Sequence, residues 1–332
     1  MAYLGFGVVT KSNGGLFTVL LAPVGSRLFP GGRTPAPMDG REINARARGS
    51  LRRKGSLLVG DRVRVSYTEE AFRRLPDGSC QALEDGGGAT VAEILPRSSA
   101  LIRPPMANLG VLFVTASVCE PEPDLLTLDK LIAIAEHNGI SPVLVVTKTD
   151  RNPAGAAALE QIYRPAGYPF FAVNSPAGEG IDALRDWIDR NLGGRIAAFS
   201  GASGVGKSTL LNRLFPELHL ETGGLSERIM RGKNTTRVVE LYPCGDGFLA
   251  DTPGFTMLDF DRFDFLELED LLPTFRDFAP YIGQCRYRKC THTKEDGCAI
   301  REAVASGEIA PSRHRSYVAL YHILNEKRKR RP

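Results

Sequence analysis

No stretch of this 332-residue sequence approaches the roughly 18 consecutive apolar residues that a membrane-spanning helix needs. Its opening, MAYLGFGVVTKSNGG, lacks a charged region followed by a sustained apolar run, so neither secretion nor membrane insertion is expected. Cysteine is scarce, and three of the six, Cys80, Cys119 and Cys244, follow no spacing rule. That speaks against a disulfide framework and suits a reducing, cytoplasmic compartment. There is no internal repeat, and no large excess of either charge: 42 Lys and Arg stand against 38 Asp and Glu, a net charge of +4.

The charge is unevenly spread, and binding to phosphate backbones responds to local clusters. Between positions 41 and 54, Arg41, Arg46, Arg48, Arg52, Arg53 and Lys54 face the single acid Glu42, and the chain finishes in Lys327, Arg328, Lys329, Arg330 and Arg331. The segment from Asp246 to Asp270 is acidic. A basic run is more often a solvated face than a nucleic-acid site, but two in one chain make RNA a candidate partner.

Length calls for two or three domains. Over the first 95 or so residues, five short strand-like runs (YLGFGVVTK, GGLFTVLLAP, REINARARGSLR, GDRVRVSY and ATVAEILP) alternate with turn signals such as Asn13-Gly14-Gly15. The spacing predicts a small all-β barrel of the oligonucleotide-binding (OB) type over 1–97, although an SH3-like barrel gives nearly the same pattern. Pro23 to Pro37 predicts an exposed loop. From Leu109 buried strands (VLFVTASV, VLVVT, RIAAFS) alternate with helical patterns (PDLLTLDKLIAIAEHNG, GEGIDALRDWIDRNL), the sign of an α/β domain with a mostly parallel sheet, taken as 98–275. A third segment, 276–332, contains a Cys/His cluster, the helical stretch SRHRSYVALYHILNEK and the basic tail.

Between a predicted strand and a predicted helix stands GASGVGKST: Gly201, Ala202, Ser203, Gly204, Val205, Gly206, Lys207, Ser208 and Thr209. This is the P-loop pattern in its proper context. Glycines let backbone N–H groups turn around phosphates, Lys207 reaches the outer phosphates, and the Ser208 hydroxyl can ligate Mg²⁺. A P-loop alone does not choose the base. Thr147, Lys148, Thr149 and Asp150 follow the strand VLVVT and resemble the Asn/Thr-Lys-x-Asp motif of GTPases, whose carboxylate accepts from guanine N1–H and N2–H₂. Adenine has no such donor pair and leaves Asp150 unpaired, at a loss of about 1 to 3 kcal/mol.

DTPG, residues 251 to 254, matches Asp-x-x-Gly, in which Asp251 holds Mg²⁺ through water and the Gly254 N–H senses the γ-phosphate. Thr235 and Thr236 lie between the P-loop helix and this motif, and one of them is the expected switch hydroxyl on Mg²⁺. Phe255 occupies the place where Ras-like enzymes have a water-orienting Gln, so slow turnover of the free enzyme is expected. Further on, Cys285, Cys290, His292 and Cys298 are spaced Cys-x₄-Cys-x-His-x₅-Cys, three thiolates and one imidazole that suit a closed structural Zn²⁺ site.

In ordinary GTPases the guanine motif comes last; here it precedes the P-loop, a circular permutation. With TKTD, GASGVGKST, RGKNTT, DTPGF, the Cys/His cluster and VGDRV in the barrel, the chain resembles the bacterial ribosome-associated GTPases of the RsgA (YjeQ/YloQ) family along essentially its full length. The resemblance implies an OB-type barrel, a permuted GTPase domain and a zinc module. It further implies a late role in maturing the small ribosomal subunit, with rRNA as partner and hydrolysis of GTP stimulated by that subunit. Asn234 stands where the family usually has His, and VNSPAGEG at 173–180 replaces the family's commoner base-side loop, with Asn174 and Ser175 as the matching positions. The expected molecule is a cytoplasmic monomer that uses GTP, Mg²⁺ and one Zn²⁺ and engages neither membrane nor DNA. The rival readings are a P-loop ATPase or kinase, and an RNA-binding scaffold with little turnover.

Overall fold

The computed structural model describes residues 2–22, 41–49, 51, 56–76, 79–101, 105–216, 239–244, 247–251 and 266–330, with the backbone alone at 251. The Pro23–Pro37 loop, Arg52, Arg53, Lys54, Arg331, Asn234, Thr235, Thr236, Gly254 and Phe255 lie outside the described residues. Two compact units arise, one from Met1–Val111, Trp187–Ala198 and Ser226–Phe255, the other from Leu112–Asp186, Phe199–Leu225 and Thr256–Pro332.

In the first unit, β1 (Ala2–Asn13), β2 (Leu16–Leu21), β3 (Glu42–Ala47), β4 (Arg62–Thr68) and β5 (Ala89–Ile94) close into a barrel in the order β1-β2-β3-β5-β4. The β3–β5 pairing is parallel and all others are antiparallel, which makes this a Greek-key barrel of the OB type. Alternation drives it: along β4, Val63, Val65 and Tyr67 point inward while Arg62, Arg64 and Ser66 are half-exposed. The core is filled by Val9, Val19, Leu21, Ile43, Ala45, Val63, Val65 and Val91, all fully buried.

The VGDRV sequence has a specific structural duty. Gly60 adopts φ +88° and passes so close to the Ala107 carbonyl that a Cβ would lie 2.1 Å from its oxygen, leaving room for glycine alone. Asp61, wholly buried, accepts from the Leu58 N–H at 2.8 Å and from Arg97 through both carboxylate oxygens, at 2.6 and 2.7 Å.

A second sheet has the strand order β8-β7-β6-β9-β11-β10, formed by β6 (Leu109–Ser117), β7 (Ser141–Thr147), β8 (Phe170–Ala172), β9 (Ile196–Ser200), β10 (Glu240–Cys244) and β11 (Gly247–Asp251). β7 with β8 and β9 with β11 are parallel, while β10 pairs antiparallel with β11. Their near-continuous apolar runs are those of strands covered on both faces. Helices α1 (Leu125–His137), α2 (Pro153–Tyr163), α3 (Ile181–Asn191) and α4 (Lys207–Leu214) alternate with the strands. Caps set two of the helix starts: Asp124 accepts from the Leu126 N–H, and Asn152 accepts from the Gly155 N–H with Pro153 at the first helical position.

Towards the C-terminus, short 3₁₀ turns at Leu272–Thr274 and Arg276–Tyr281 precede the Cys/His segment, α5 (Ala299–Ser306) and α6 (Pro311–Arg330). These elements share one core with α1, in which Ala133 and Ile134 meet Leu271, Phe275, Phe278, Ile300, Tyr317 and Leu320.

Candidate functional site: a nucleotide cradle and a Cys/His cluster

β9 ends at the buried Ser200, and the chain then turns through 201–206 before α4 begins at Lys207. Gly201, Gly204 and Gly206 take φ +145°, +79° and +92°, conformations that L side chains rarely adopt. At Gly201 a Cβ would also stand 2.2 Å from the Thr115 carbonyl oxygen. The turn therefore needs glycine for shape as well as for backbone access to a ligand. Lys207 Nζ donates to the carbonyls of Gly201 and Ala202, each at 2.7 Å, which holds the ammonium over the loop. Its burial there pushes its pKa down to about 8. Ser208 and Thr209 occupy the first turn of α4, at the positive end of its dipole.

The four guanine-motif residues follow β7. The buried Thr147 hydroxyl lies within donating distance of the Ala116 carbonyl, at 3.1 Å, and of the P-loop Val205 carbonyl, at 2.5 Å, so the motif is tied to the phosphate loop by a side chain. Lys148 has φ +57°, a strained conformation of the kind that gathers at functional sites, and its Nζ donates to the Glu120 carbonyl at 2.5 Å. Thr149 and Asp150 form the turn, closed by Arg151 N–H to the Lys148 carbonyl at 3.0 Å, and Asp150 is exposed.

A third loop follows β8. Val173 N–H donates to the Val146 carbonyl at 2.7 Å, Asn174 pairs with Glu179 through backbone and side chain, and the Ser175 hydroxyl is buried without a partner among the described residues. The structure thus brings 147–150, 174–175 and 201–209 together at the carboxyl ends of parallel strands, where α/β sheets bind ligands. Asp251 is the last residue of β11.

Elsewhere the metal-spaced residues converge. One ligand atom from each of Cys285, Cys290, His292 and Cys298 lies within 4.8 Å of the others. His292 Nδ1 is 3.4 Å from Cys285 Sγ and 3.5 Å from Cys298 Sγ, and the two sulfurs are 3.9 Å apart. A tetrahedral ion with Zn–S and Zn–N bonds of ordinary length sets S···S edges of about 3.8 Å and S···N edges of about 3.5 Å. The donor set and its spacing therefore fit zinc.

Supporting contacts hold the loop in this shape. His314 meets the His292 carbonyl at 2.8 Å, and the Tyr317 hydroxyl donates to the Thr291 carbonyl. The Glu295 carboxylate accepts from the Thr291 hydroxyl and from the N–H groups of Thr291, Thr293 and Lys294. Burial alone raises this carboxyl's pKa, but these donors outweigh it and hold the value at about 2.

Comparison with known proteins agrees with this geometry. The RsgA GTPase family model matches residues 94–261. A protein of Caldanaerobacter subterraneus subsp. tengcongensis, named small ribosomal subunit biogenesis GTPase RsgA, is 37% identical over 292 residues, 87% of this chain and 91% of its own. Its namesake in Enterococcus faecalis is 38% identical over 299 residues, 89% and 91% of the two chains. The chain belongs to the RsgA GTPase family.

Solved structures of similar proteins extend the likeness to the whole fold. YjeQ from Thermotoga maritima superposes with a TM-score of 0.74 at 28% identity, covering 97% of this chain and 99% of its own. YloQ, described as a circularly permuted GTPase, gives 0.70 at 28% identity, covering 99% and 97%. As an RsgA-family protein the chain is a GTPase with the permuted motif order, and the ATPase and kinase readings fall away.

Two groups of residues escaped the sequence reading. Arg313, 1% exposed, donates to Asp129 of α1 at 2.6 Å and to both carboxylate oxygens of Asp277, and its guanidinium lies 4.5 Å from the Phe275 ring centroid. Arg213, on α4, donates to the carbonyls of Ser175 and Pro176. Both are long-range pairings of ordinary arginines. The only sequence signal was the run SRHRSY, basic residues inside an otherwise apolar helical pattern.

Proposed function

We propose that this GTPase acts in the late maturation of the small ribosomal subunit, where it binds rRNA and couples hydrolysis to its release. What carries the reading is the meeting of the guanine motif and the P-loop through Thr147, within a chain whose full-length relatives are named for small-subunit biogenesis. Three functional parts follow: a barrel (1–97) for RNA, the GTPase domain (98–275) and a zinc module with its basic tail (276–332).

In the cradle, Asp150 accepts from the guanine edge, Thr147, Lys148 and Thr149 hold that turn against the P-loop, and Asn174 and Ser175 line the base side. The N–H groups of 201–206 and the ammonium of Lys207 hold the β- and γ-phosphates. Ser208, one of Thr235 and Thr236, and Asp251 would hold Mg²⁺, which would supply positive charge against that developing on the phosphoryl oxygens. The Gly254 N–H reads the γ-phosphate. Phe255 cannot orient water, so turnover depends on a group ordered by the ribosomal partner. Cys285, Cys290, His292 and Cys298 hold one structural Zn²⁺, which leaves Arg286, Arg288 and Lys289 between the ligands for phosphate contacts. The protein works in the cytoplasm as a monomer, without membrane or DNA.

Steady-state GTP hydrolysis, alone and with purified small subunits, tests the proposal. A stimulation of the order of 10³-fold or more, specific to small subunits, is the expected result for a group supplied in trans. Equal rates with and without ribosomal particles would remove the ribosomal role.

A further inference from the structure

Arg213 stands on the last turn of α4, the helix whose first residue is the P-loop lysine. Its Nε donates to the Ser175 carbonyl at 3.2 Å and its Nη2 to the Pro176 carbonyl at 3.1 Å. The guanidinium also lies against Gly178, where φ is +82° and a Cβ would come within 3.9 Å of Nη2. A second arginine completes the circuit. Arg185, on α3, donates through Nη2 to the Arg213 and Leu214 carbonyls, at 2.9 and 3.4 Å, and so satisfies the exposed C-terminal end of α4.

The loop 174–180 leads directly into α3, so the path closes on itself: loop, α3, Arg185, α4, Arg213 and back to the loop. The loop's other constraints are local, the Asn174–Glu179 pair and the Val173–Val146 hydrogen bond at its root. Arg213 joins its apex to the phosphate-binding helix. Its two bonds go to backbone carbonyls, so they fix where the peptide plane after Ser175 points, whatever the side chains there do.

We propose that Arg213, backed by Arg185, is a positioning residue for guanine-nucleotide affinity: it fixes the base-side loop at a set distance from the phosphate loop, so that one rigid nucleotide meets both. The inference rests on the cradle reading given above and adds a residue outside any of the sequence motifs. A rigid ligand that spans two subsites gains from their fixed separation, because neither has to be ordered at the moment of binding. Loss of the clasp therefore weakens ligands that reach both subsites and leaves those confined to the phosphate loop unchanged.

The test uses the full chain and isothermal titration with Mg²⁺-GDP and with Mg²⁺-pyrophosphate, which has neither base nor ribose. Arg213→Gln should weaken GDP about tenfold, because the loop must then be ordered at the moment of binding, and leave pyrophosphate within twofold. In turnover KM for GTP should rise with kcat unchanged. Arg213→Lys, which keeps the charge and the stem but not the fork, should fall between. It also serves as the second variant should the glutamine form unfold, as judged by circular dichroism. An unchanged GDP affinity in a folded variant overturns the proposal, and so does an equal loss for GDP and pyrophosphate, which would mark Arg213 as mere support for α4. Failure of the wild-type chain to bind GDP, with pyrophosphate still bound, would instead overturn the cradle reading and the inference with it.

Discussion

In the proposed cradle, Asp150 is the residue on which base choice turns. It is exposed at the end of a turn whose other members are fixed by backbone and by Thr147, so its removal should leave the fold intact. Asp150→Asn replaces an acceptor-only carboxylate by an amide that offers a donor toward guanine's own N–H groups. GTP affinity should fall by roughly 10- to 100-fold, the cost of unpaired polar groups at about 1 to 3 kcal/mol. Xanthine nucleotides, which have a carbonyl where guanine has its amino group, should bind the variant better than the wild type. Competition against a fluorescent GDP measures both. Lys207 gives a second expectation, with its sign set by burial. The group is depressed to about 8 in the chain, and only its protonated form pairs with phosphate. Binding should therefore be flat below about pH 7.5 and weaken as pH rises through 8, approaching tenfold per unit if the bound ammonium stays charged. Titrations of Mg²⁺-GDP between pH 6.5 and 9 would show the break; a flat profile across this range would mean that Lys207 is not desolvated as the structure has it.

Among the elements, the strands and long helices that carry the motifs were legible because their apolar periods are clean: α1 fills 125–137 within the segment read as helical, and β7 and β9 end where TKTD and the P-loop begin. The barrel pattern left two topologies open, and strand order decided between them, since alternation reports which face is buried and not which strand is neighbour. α2 and α5 went unread for a physical reason. PAGAAALEQIY is rich in alanine, and AIREAVAS is only eight residues long, too short for its apolar face to repeat; tertiary packing defines them, with Asn152 capping the start of α2 and Gly307 closing the end of α5. The partners of Arg313 were illegible, because they are 184 and 36 residues away. The triad now makes a prediction at this scale. Arg313→Met strands Asp129 and Asp277 as buried carboxylates without their cation, which should cost about 3 to 5 kcal/mol in urea unfolding. Replacing all three charges by apolar residues should restore most of that loss. If the single change is as mild as the triple one, the triad contributes little to joining α6 to α1. Zinc should act on the same segment: chelation is expected to release one ion per chain and to lower the melting temperature, with Cys290→Ser lowering it without chelator.

Across the whole molecule, the nucleotide cradle and the proposed RNA contacts respond to different variables, and that difference is testable. In the proposed cradle, nucleotide binding rests on short-range hydrogen bonds and one partly buried ammonium, which salt screens little. Contacts from the barrel's basic segment, from Arg286, Arg288 and Lys289, and from the tail Lys327 to Arg330 would be made to phosphates, whose affinity falls steeply as released counterions become costlier to release. Raising salt from about 50 to 200 mM should therefore weaken binding to small subunits by orders of magnitude while GDP affinity changes only a fewfold. Because Phe255 stands where Ras-like enzymes have a water-orienting Gln, the proposed function has turnover follow occupancy of the subunit rather than of the nucleotide. Stimulated hydrolysis should then collapse over the same salt interval in which subunit binding is lost, with the basal rate unchanged. Hydrolysis that stays stimulated after the subunit has dissociated would place the activating group within the chain itself.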